Sequence, residues 1–308
     1  MLFSQSSIGM EIRPDGVTCA MVTGSQSAPR IERLACAKFP ENTVRISLKE
    51  QNVLEPAVFI ERVKSAHNLL LARTGKVSVS LPDSVGRMLL VDLEGRFKSR
   101  AEALDLIRWK LKKSIPFDLS DTQLDYQKLA VRENGEMSLL VALISKTVVS
   151  QYEELLVEAG LVPARIDFNS FNLCRVFDRH LAIEGDSIMI SYYGCTLGIM
   201  AFSQGMPEFI RVKDLSGTVA TDSRVFMEIN SSLMVCKNRF PDRQSRVVFC
   251  MAEPELMQDF REMVEEATGA VATPLETKSV VIPGNAAPGD KATMYAYTAA
   301  IGAAMRNL

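Results

Sequence analysis

The sequence is poor in histidine, in tryptophan and in cysteines spaced for chemistry. Two histidines, His67 and His180, and one tryptophan, Trp109, are spread over 308 residues. So few imidazoles argue against zinc hydrolase chemistry and weaken any Ser-His or Cys-His scheme. Neither histidine has a companion at ligand spacing, and both read as structural or exposed. The six cysteines are Cys19, Cys36, Cys174, Cys195, Cys236 and Cys250. None forms a C-x-x-C pair, and they are too sparse for a disulfide framework. They read as reduced, small core residues of a cytoplasmic protein. An excess of one charge is also lacking: 35 Lys+Arg face 37 Asp+Glu, a net charge of −2. That balance excludes a polyanion binder acting through its whole surface.

Targeting signals and standard phosphate motifs are missing too. The opening MLFSQSSIGMEIRPDG has no basic n-region and no long apolar core, so it is not a secretory signal. Residues 187–207 carry no charge, which invites a membrane-span reading. The run is spotted with Ser187, Ser191, Thr196, Ser203 and Gln204 and broken by Gly194, Gly198 and Gly205. Two buried strands with turns fit it better than a spanning helix. There is no G-x-x-x-x-G-K-[ST], no G-x-G-x-x-G and no G-x-S-x-G.

What is present is ordinary globular composition, 47% hydrophobic and 23% charged. At about 100–200 residues per domain, the length suggests two domains or one large composite. Strand-like and helix-like runs alternate, which is an α/β or α+β pattern. Residues 7–13 and 17–23 flank Pro14-Asp15-Gly16 and read as a hairpin, with 30–39 as a third strand. Residues 55–73 read as a helix and 76–81 as a period-two strand. Residues 99–114 form a helix with Ser99 and Glu102 as a capping box, ended by Ile115-Pro116-Phe117. Strands follow at 123–131 and 137–145, then a helix at 147–159 stopped at Gly160. The second half repeats this style, with strands at 187–192, 195–202 and 207–213 and a helix over 219–239. A strand at 246–251 and a helix at 254–268 come next. Residues 279–292 read as a loop, and MYAYTAAIGAAMRNL as a closing helix. Each half opens on glycine-marked hairpins, a pseudo-repeat at roughly 180 residues. It suggests two related domains facing a cleft.

Several blocks, in order, carry a family resemblance. They are Ser7-Ile8-Gly9-Met10-Glu11-Ile12, Ser78-Val79-Ser80-Leu81-Pro82, Ile115-Pro116-Phe117 with Leu124-Asp125-Tyr126-Gln127, Ala159-Gly160-Leu161-Val162-Pro163, EINSSL at 228–233, and Ala299-Ala300-Ile301-Gly302-Ala303-Ala304. With these the chain resembles the PilM family, the actin-like cytoplasmic proteins of type IV pilus assembly. It is similar, more loosely, to the cell-division protein FtsA. The resemblance implies an α/β, actin/Hsp70-like fold of two domains around a central cleft. Domain 1 would span 1–184, with an inserted subdomain at about 86–162. Domain 2 would span 185–308, with a smaller insertion at about 216–245. In such a fold one hairpin from each domain cradles nucleotide phosphates, an aspartate in each directs Mg²⁺, and a glycine turn receives adenosine.

The residues at those places depart from the pattern. Gly9 is retained in the first hairpin, but Glu11 stands for the aspartate and Arg13 for the following glycine. The second hairpin reads Ser191-Tyr192-Tyr193 before Gly194, so its carboxylate is gone and a phenol replaces a hydrogen. The adenosine turn reads Met251-Ala252-Glu253-Pro254, with Ala252 and bulk in place of glycine. The expectation is a degenerate cleft at Gly9, Glu11, Arg13, Ser191, Tyr193, Gly194 and Ala252. It would have no catalytic residue and no metal ligand, and ATP with Mg²⁺ would bind weakly or not at all.

The same resemblance implies a partner. PilM-type proteins bind the N-terminal cytoplasmic tail of a PilN-like membrane protein in a groove beside the inserted subdomain. Here the hairpin 123–145 and the helix 99–114 are the candidate walls, with Trp109, Lys110, Lys113 and Tyr126 as candidate contacts. Trp109 reads either as an aromatic anchor or as packed under a neighbouring strand. The basic run Arg108, Lys110, Lys112, Lys113 also admits a membrane-surface reading or a plain solvated face. DNA is disfavoured by Asp118, Asp121 and Asp125 close by. The function expected is a cytoplasmic adaptor, peripheral to the bacterial inner membrane, that serves a pilus or secretion platform and is not an enzyme. Two alternatives stand beside it. One is an active Mg-ATPase or kinase of the actin-like superfamily. The other is the cytoplasmic domain of a type II secretion L-type protein, a family that normally continues into a transmembrane helix, whereas this sequence ends at Leu308.

Overall fold

The computed structural model describes residues 6–308 apart from 95–96, 113–114, 116–117, 132–134, 184, 242–246 and 288. Its first sheet grows from the expected hairpin. β1 (Ser7–Arg13) pairs antiparallel with β2 (Gly16–Ser25), from Ser7↔Val22 to Arg13↔Gly16, so Pro14-Asp15 is a two-residue turn. β3 (Ala28–Lys38) lies antiparallel to β2. Helix α1 (Pro56–Leu69) starts on proline, whose missing N–H the first helical turn does not need. It leads into β4 (Lys76–Leu81), parallel to β1.

The inserted subdomain follows. β5 (Gly86–Leu93) is a strand the sequence reading passed over. α2 (Arg100–Leu111) begins as expected, with the Ser99 side chain accepting from the Glu102 N–H. The Glu102 carboxylate accepts from the Lys98 N–H rather than from Ser99, so the capping box is only half formed. β6 (Thr122–Val131) and β7 (Met137–Ser145) close a three-stranded sheet in the order β5-β7-β6. α3 (Lys146–Glu158) returns to the body, and β8 (Val162–Phe168) joins the first sheet parallel to β4, at its edge. Pro116 and Phe117 of the expected helix stop lie outside the described residues.

After α4 (Asn169–Val176) and α5 (Asp178–Leu181), the second half repeats the topology of the first. β9 (Asp186–Tyr193), β10 (Thr196–Ser203) and β11 (Met206–Asp214) are antiparallel neighbours. Cys195, expected to open a strand, sits instead in the hairpin turn at φ 61°, beside Gly194 at φ 54°. Two consecutive left-handed residues make the tight turn that matches strand twist. α6 (Ser223–Arg239) buries Val225, Ile229 and Cys236 against the second sheet. β12 (Val247–Met251) is parallel to β9, and α7 (Met257–Thr268) connects it to β13 (Ala272–Pro274). The expected loop 279–292 is partly ordered structure. α8 (Thr277–Val280) starts just before it, and β14 (Ile282–Pro283) pairs with β3. The closing helix is two, α9 (Lys291–Ala296) and α10 (Thr298–Met305), separated at Tyr297.

The two large sheets run β14-β3-β2-β1-β4-β8 and β11-β10-β9-β12-β13. The buried clusters order them into layers. α1 and α3 cover one face of the first sheet, and α6 and α7 cover one face of the second. α4 and α10 lie between the sheets, with Leu173, Phe177, Ala300 and Ile301 meeting Val22, Ile31, Met200 and Phe249. The late strand β14 and the late helix α10 thus return to the first sheet. Their tight packing depends on two glycines. A Cβ at Gly302 would collide with the Asn172 carbonyl oxygen of α4, and one at Gly9 with the backbone of α10 at Ala300 and Ala304.

Candidate functional site

The two hairpins face each other where the cleft was expected, and the Tyr193 side chain bridges them, with a cavity of about 430 Å³ beside it lined by Asp83, Arg87, Thr196 and Lys213. Glu11, on β1, is fully buried. Its Oε2 accepts from the Tyr193 hydroxyl of β9 at 2.8 Å and from Thr18 Oγ1 of β2 at 3.4 Å. Its Oε1 accepts from Asn169 Nδ2, at the start of α4, at 3.1 Å. Both carboxylate oxygens are therefore committed to protein donors. The Tyr193 oxygen also receives the Ala299 N–H of α10 at 3.5 Å. One phenol oxygen so joins the first sheet, the second sheet and the helix between them.

The rest of the network is buried as well. Ser80 Oγ donates to Asn169 Oδ1 at 2.6 Å and accepts from Asn172 Nδ2 at 2.8 Å. Asp83, past the end of β4, accepts from Ser170 N at 3.1 Å and from Ser170 Oγ at 3.0 Å. Burial raises the Glu11 pKa, with Arg13 and the three hydrogen bonds pulling the other way. Burial likewise pushes Asp83 up to about 6 against its Ser170 bonds, with Glu11 adding a smaller push. The Tyr193 phenol is raised well above its ordinary value by burial, and next by the Glu11 charge.

Each expected cleft residue now has a place. Gly9 lies where α10 backbone occupies the space its missing side chain leaves. Arg13 turns back onto its own hairpin, its Nε 3.2 Å from Asp15 Oδ1. Burial works against its charge, while Glu11 and then Tyr193 and Asp15 raise its pKa overall. Ser191 is buried, its Oγ 3.5 Å from the Gly198 carbonyl. Gly194 forms the turn. Ala252 is buried and lines a cavity of about 260 Å³ with Pro254, Met257, Thr277 and Tyr295. The Tyr295 ring stands edge-on to Tyr193 at 5.3 Å, and its hydroxyl donates to the Tyr192 carbonyl at 2.8 Å. An aromatic pair thus separates this cavity from Glu11. Among the described residues, no three His, Cys, Asp or Glu side chains gather as a metal set.

A second hollow lies where the inserted subdomain meets the body. β6 and β8 are edge strands of different sheets, and both border it. Two adjoining cavities of about 540 and 270 Å³ share Asp125, Ala142, Arg165, Asp167 and Phe171. The apolar floor includes Phe171, 6.1 Å from Phe168. Arg306 Nε sits 3.4 Å from Asp167 Oδ2 at one end. Strand alternation decides which side faces the groove. Met137, Leu139 and Val141 of β7 pack against Ile107 and Leu111 of α2, while Leu140 and Ala142 line the hollow.

The hairpin 123–145 therefore borders this hollow, while α2 backs the same sheet on the far side. Tyr126 stands at the groove's edge, but its ring lies on the α2 face of the sheet, opposite Val141, packed on Phe97 at 5.9 Å and under Arg100 at 5.3 Å. Trp109 and Lys110 lie on α2, away from the groove. Trp109 is 78% exposed, so it does not pack under a strand. Lys113 lies outside the described residues. The residues sequence reasoning missed are Asn169, Asp83, Tyr295 and the groove-facing Ala142, Arg165 and Phe171. All are brought together by sheet topology, and local spacing carried no signal for them.

Comparison with known proteins gives this geometry a family. A family model described as "Type IV pilus assembly protein PilM" matches residues 9–218. No curated protein matches. Among solved structures the chain is similar to one described as "PilM-PilN type IV pilus biogenesis complex". The identity there is 19%, with 97% of this chain and 98% of that one covered and a TM-score of 0.80. It is also similar to a Bacteroides thetaiotaomicron protein with an actin-like ATPase fold and unknown function, at 12% identity, 90% and 93% coverage and a TM-score of 0.52. The third likeness is to the cytoplasmic domain of EpsL, an inner membrane component of the Vibrio cholerae type II secretion system. It shows 10% identity, 96% and 95% coverage and a TM-score of 0.51. No described helix is long and apolar enough to cross a membrane. Built on the actin-like α/β fold and matched by the family model over most of its length, the chain belongs to the PilM family of type IV pilus assembly proteins.

Proposed function

We propose that this protein is a cytoplasmic adaptor of a type IV pilus-like inner-membrane platform. It holds the N-terminal cytoplasmic tail of a PilN-like membrane partner and does so without nucleotide turnover. The observation that carries the reading is the groove between β6 and β8, where two strand edges and an apolar floor offer an extended peptide both backbone pairing and side-chain burial. The described likeness to a PilM-PilN complex supports the partner class.

The bridged cleft supports the absence of turnover. A Mg²⁺ nucleotide needs an open carboxylate and room for phosphates. Both Glu11 oxygens are hydrogen-bonded, the second hairpin carries Ser191 in place of an acid, and the Tyr193 phenol stands between the hairpins. The residues present do not fit that group. The alternative L-type secretion reading has support only from the fold likeness to the EpsL domain.

The test is fluorescence polarisation with a labelled peptide copying the cytoplasmic N-terminus of the membrane protein encoded beside this gene. Saturable binding that Ala142→Arg removes is the expected result. Equal binding by that variant would move the site elsewhere. No binding by folded protein would sink the adaptor reading.

A further inference from the structure

The two walls of the groove meet at one buried acid. β8 ends at Phe168 and runs straight into α4, whose first turn carries Phe171 of the groove floor. The other wall hangs on the short turn Asp83–Val85, which enters β5 at Gly86 and so leads into the three-stranded sheet. Asp83 is buried, and each of its carboxylate oxygens accepts from Ser170, one from the backbone N–H at 3.1 Å and one from the hydroxyl at 3.0 Å. The pair spans 87 positions of sequence and joins the root of one wall to the end of the other.

Local chemistry explains the pair. A helix leaves its first N–H groups without intrahelical acceptors, and a polar side chain at the N-cap normally takes one. Here the N-cap is Phe168, which offers none. Asp83 supplies the acceptor from elsewhere in the chain, and a carboxylate suits the positive end of a helix. Burying a carboxylate is costly unless it is hydrogen-bonded, so Asp83 and Ser170 hold each other in place. The fit beside them is close. A Cβ at Gly86 would collide with the Phe168 ring, and Phe168 lies 6.1 Å from Phe171. From Gly86 the strand pairs on to residues that line the groove: Gly86 opposes Ile144, and Met88 opposes Ala142. A shift of α4 against β5 therefore moves floor and wall relative to one another.

We infer that Asp83 is a positioning residue for the groove: by holding Ser170 it sets the first turn of α4, with Phe171, against the root of the inserted subdomain, and so fixes how far the β6 wall stands from the β8 wall. Asp83 is not among the residues lining the groove cavities, and it acts through α4. The inference rests on the reading of the groove as a peptide site. It goes beyond that reading in placing a control of affinity outside the groove lining.

The test joins polarisation with the labelled tail peptide to hydrogen exchange without peptide, both on the whole protein. Asp83→Ala should weaken binding about tenfold. Ser170→Ala, which removes one arm of the pair, should weaken it by less and stands in if Asp83→Ala does not fold. Asp83→Asn should restore binding to within about twofold, because its amide oxygen still accepts from the Ser170 N–H and the Ser170 hydroxyl can turn to accept from its amide. In a Phe171→Leu background the Asp83→Ala loss should shrink. Phe260→Leu, in the buried core of the second sheet, loses stability far from the groove and should leave affinity unchanged. Exchange in Asp83→Ala should quicken in the first turn of α4 and at the root of β5, with the second sheet unchanged. Equal binding by the wild type and Asp83→Ala would overturn the inference. So would a loss in Asp83→Asn or in Phe260→Leu as large as that in Asp83→Ala. If the wild type binds no tail, the groove reading falls, and exchange decides alone: unchanged protection in α4 and β5 would overturn the positioning role as well.

Discussion

The Tyr193 hydroxyl donates to Glu11 Oε2 at 2.8 Å, joining β9 to β1 across 182 positions of sequence. Both groups are buried, one on each of the two facing hairpins. The bond satisfies the carboxylate and ties the two sheets together. Tyr193→Phe removes one donor from a buried acid while keeping the ring. It should cost about 1–3 kcal/mol in urea unfolding. In a double-mutant cycle with Glu11→Gln the two changes should be non-additive. Additive losses would mean that the pair does not act as a unit.

Asp83 predicts a pH dependence. Its carboxyl is raised from 3.8 to about 6 in the fold, by burial first. An acid raised on folding binds more protons folded than unfolded. Its contribution is therefore fully present below pH 3.8 and lost as pH rises through 6. The difference is on the order of 3 kcal/mol. Denaturant curves at pH 4 to 7 should show the wild type gaining on Asp83→Asn as pH falls. A constant gap between the two proteins would contradict this.

Packing of α10 gives a steric prediction. Gly9→Ala and Gly302→Ala each push a methyl group into helix backbone, of α10 and of α4, that has no flexible side chain to yield. Each should destabilise by about 1–3 kcal/mol or more. Gly289→Ala meets only the Pro283 ring, at 3.8 Å, and should be near neutral. Thermal unfolding of the three variants separates close approach from a general cost of replacing glycine.

Much of this was legible in the sequence where local chemistry dominates. The period-two run at 76–81 was read at its observed position, and the Pro14-Asp15-Gly16 turn was read one residue too long, since Gly16 already pairs with Arg13. β5 was passed over because Gly86-Arg87-Met88-Leu89-Leu90-Val91 does not alternate cleanly, and its strand state comes from pairing with β7. Glu11 and Tyr193 were each singled out as departures from a family pattern. That one bonds the other depends on the approach of two sheets, which neither residue's neighbours encode. The helix 99–114 was a candidate groove wall from the family resemblance, with Trp109, the only tryptophan, as an anchor in a second apolar stripe beside Leu106. The alternation of β7 instead puts α2 behind the sheet.

The central claim is that the groove binds a peptide while the cleft needs no nucleotide. Calorimetric titration of the partner's N-terminal tail, with and without Mg-ATP, addresses both halves at once. The account predicts the same saturable, one-to-one binding in both conditions and no heat from Mg-ATP alone. Micromolar binding of Mg-ATP, or tail binding that appears only in its presence, would contradict it.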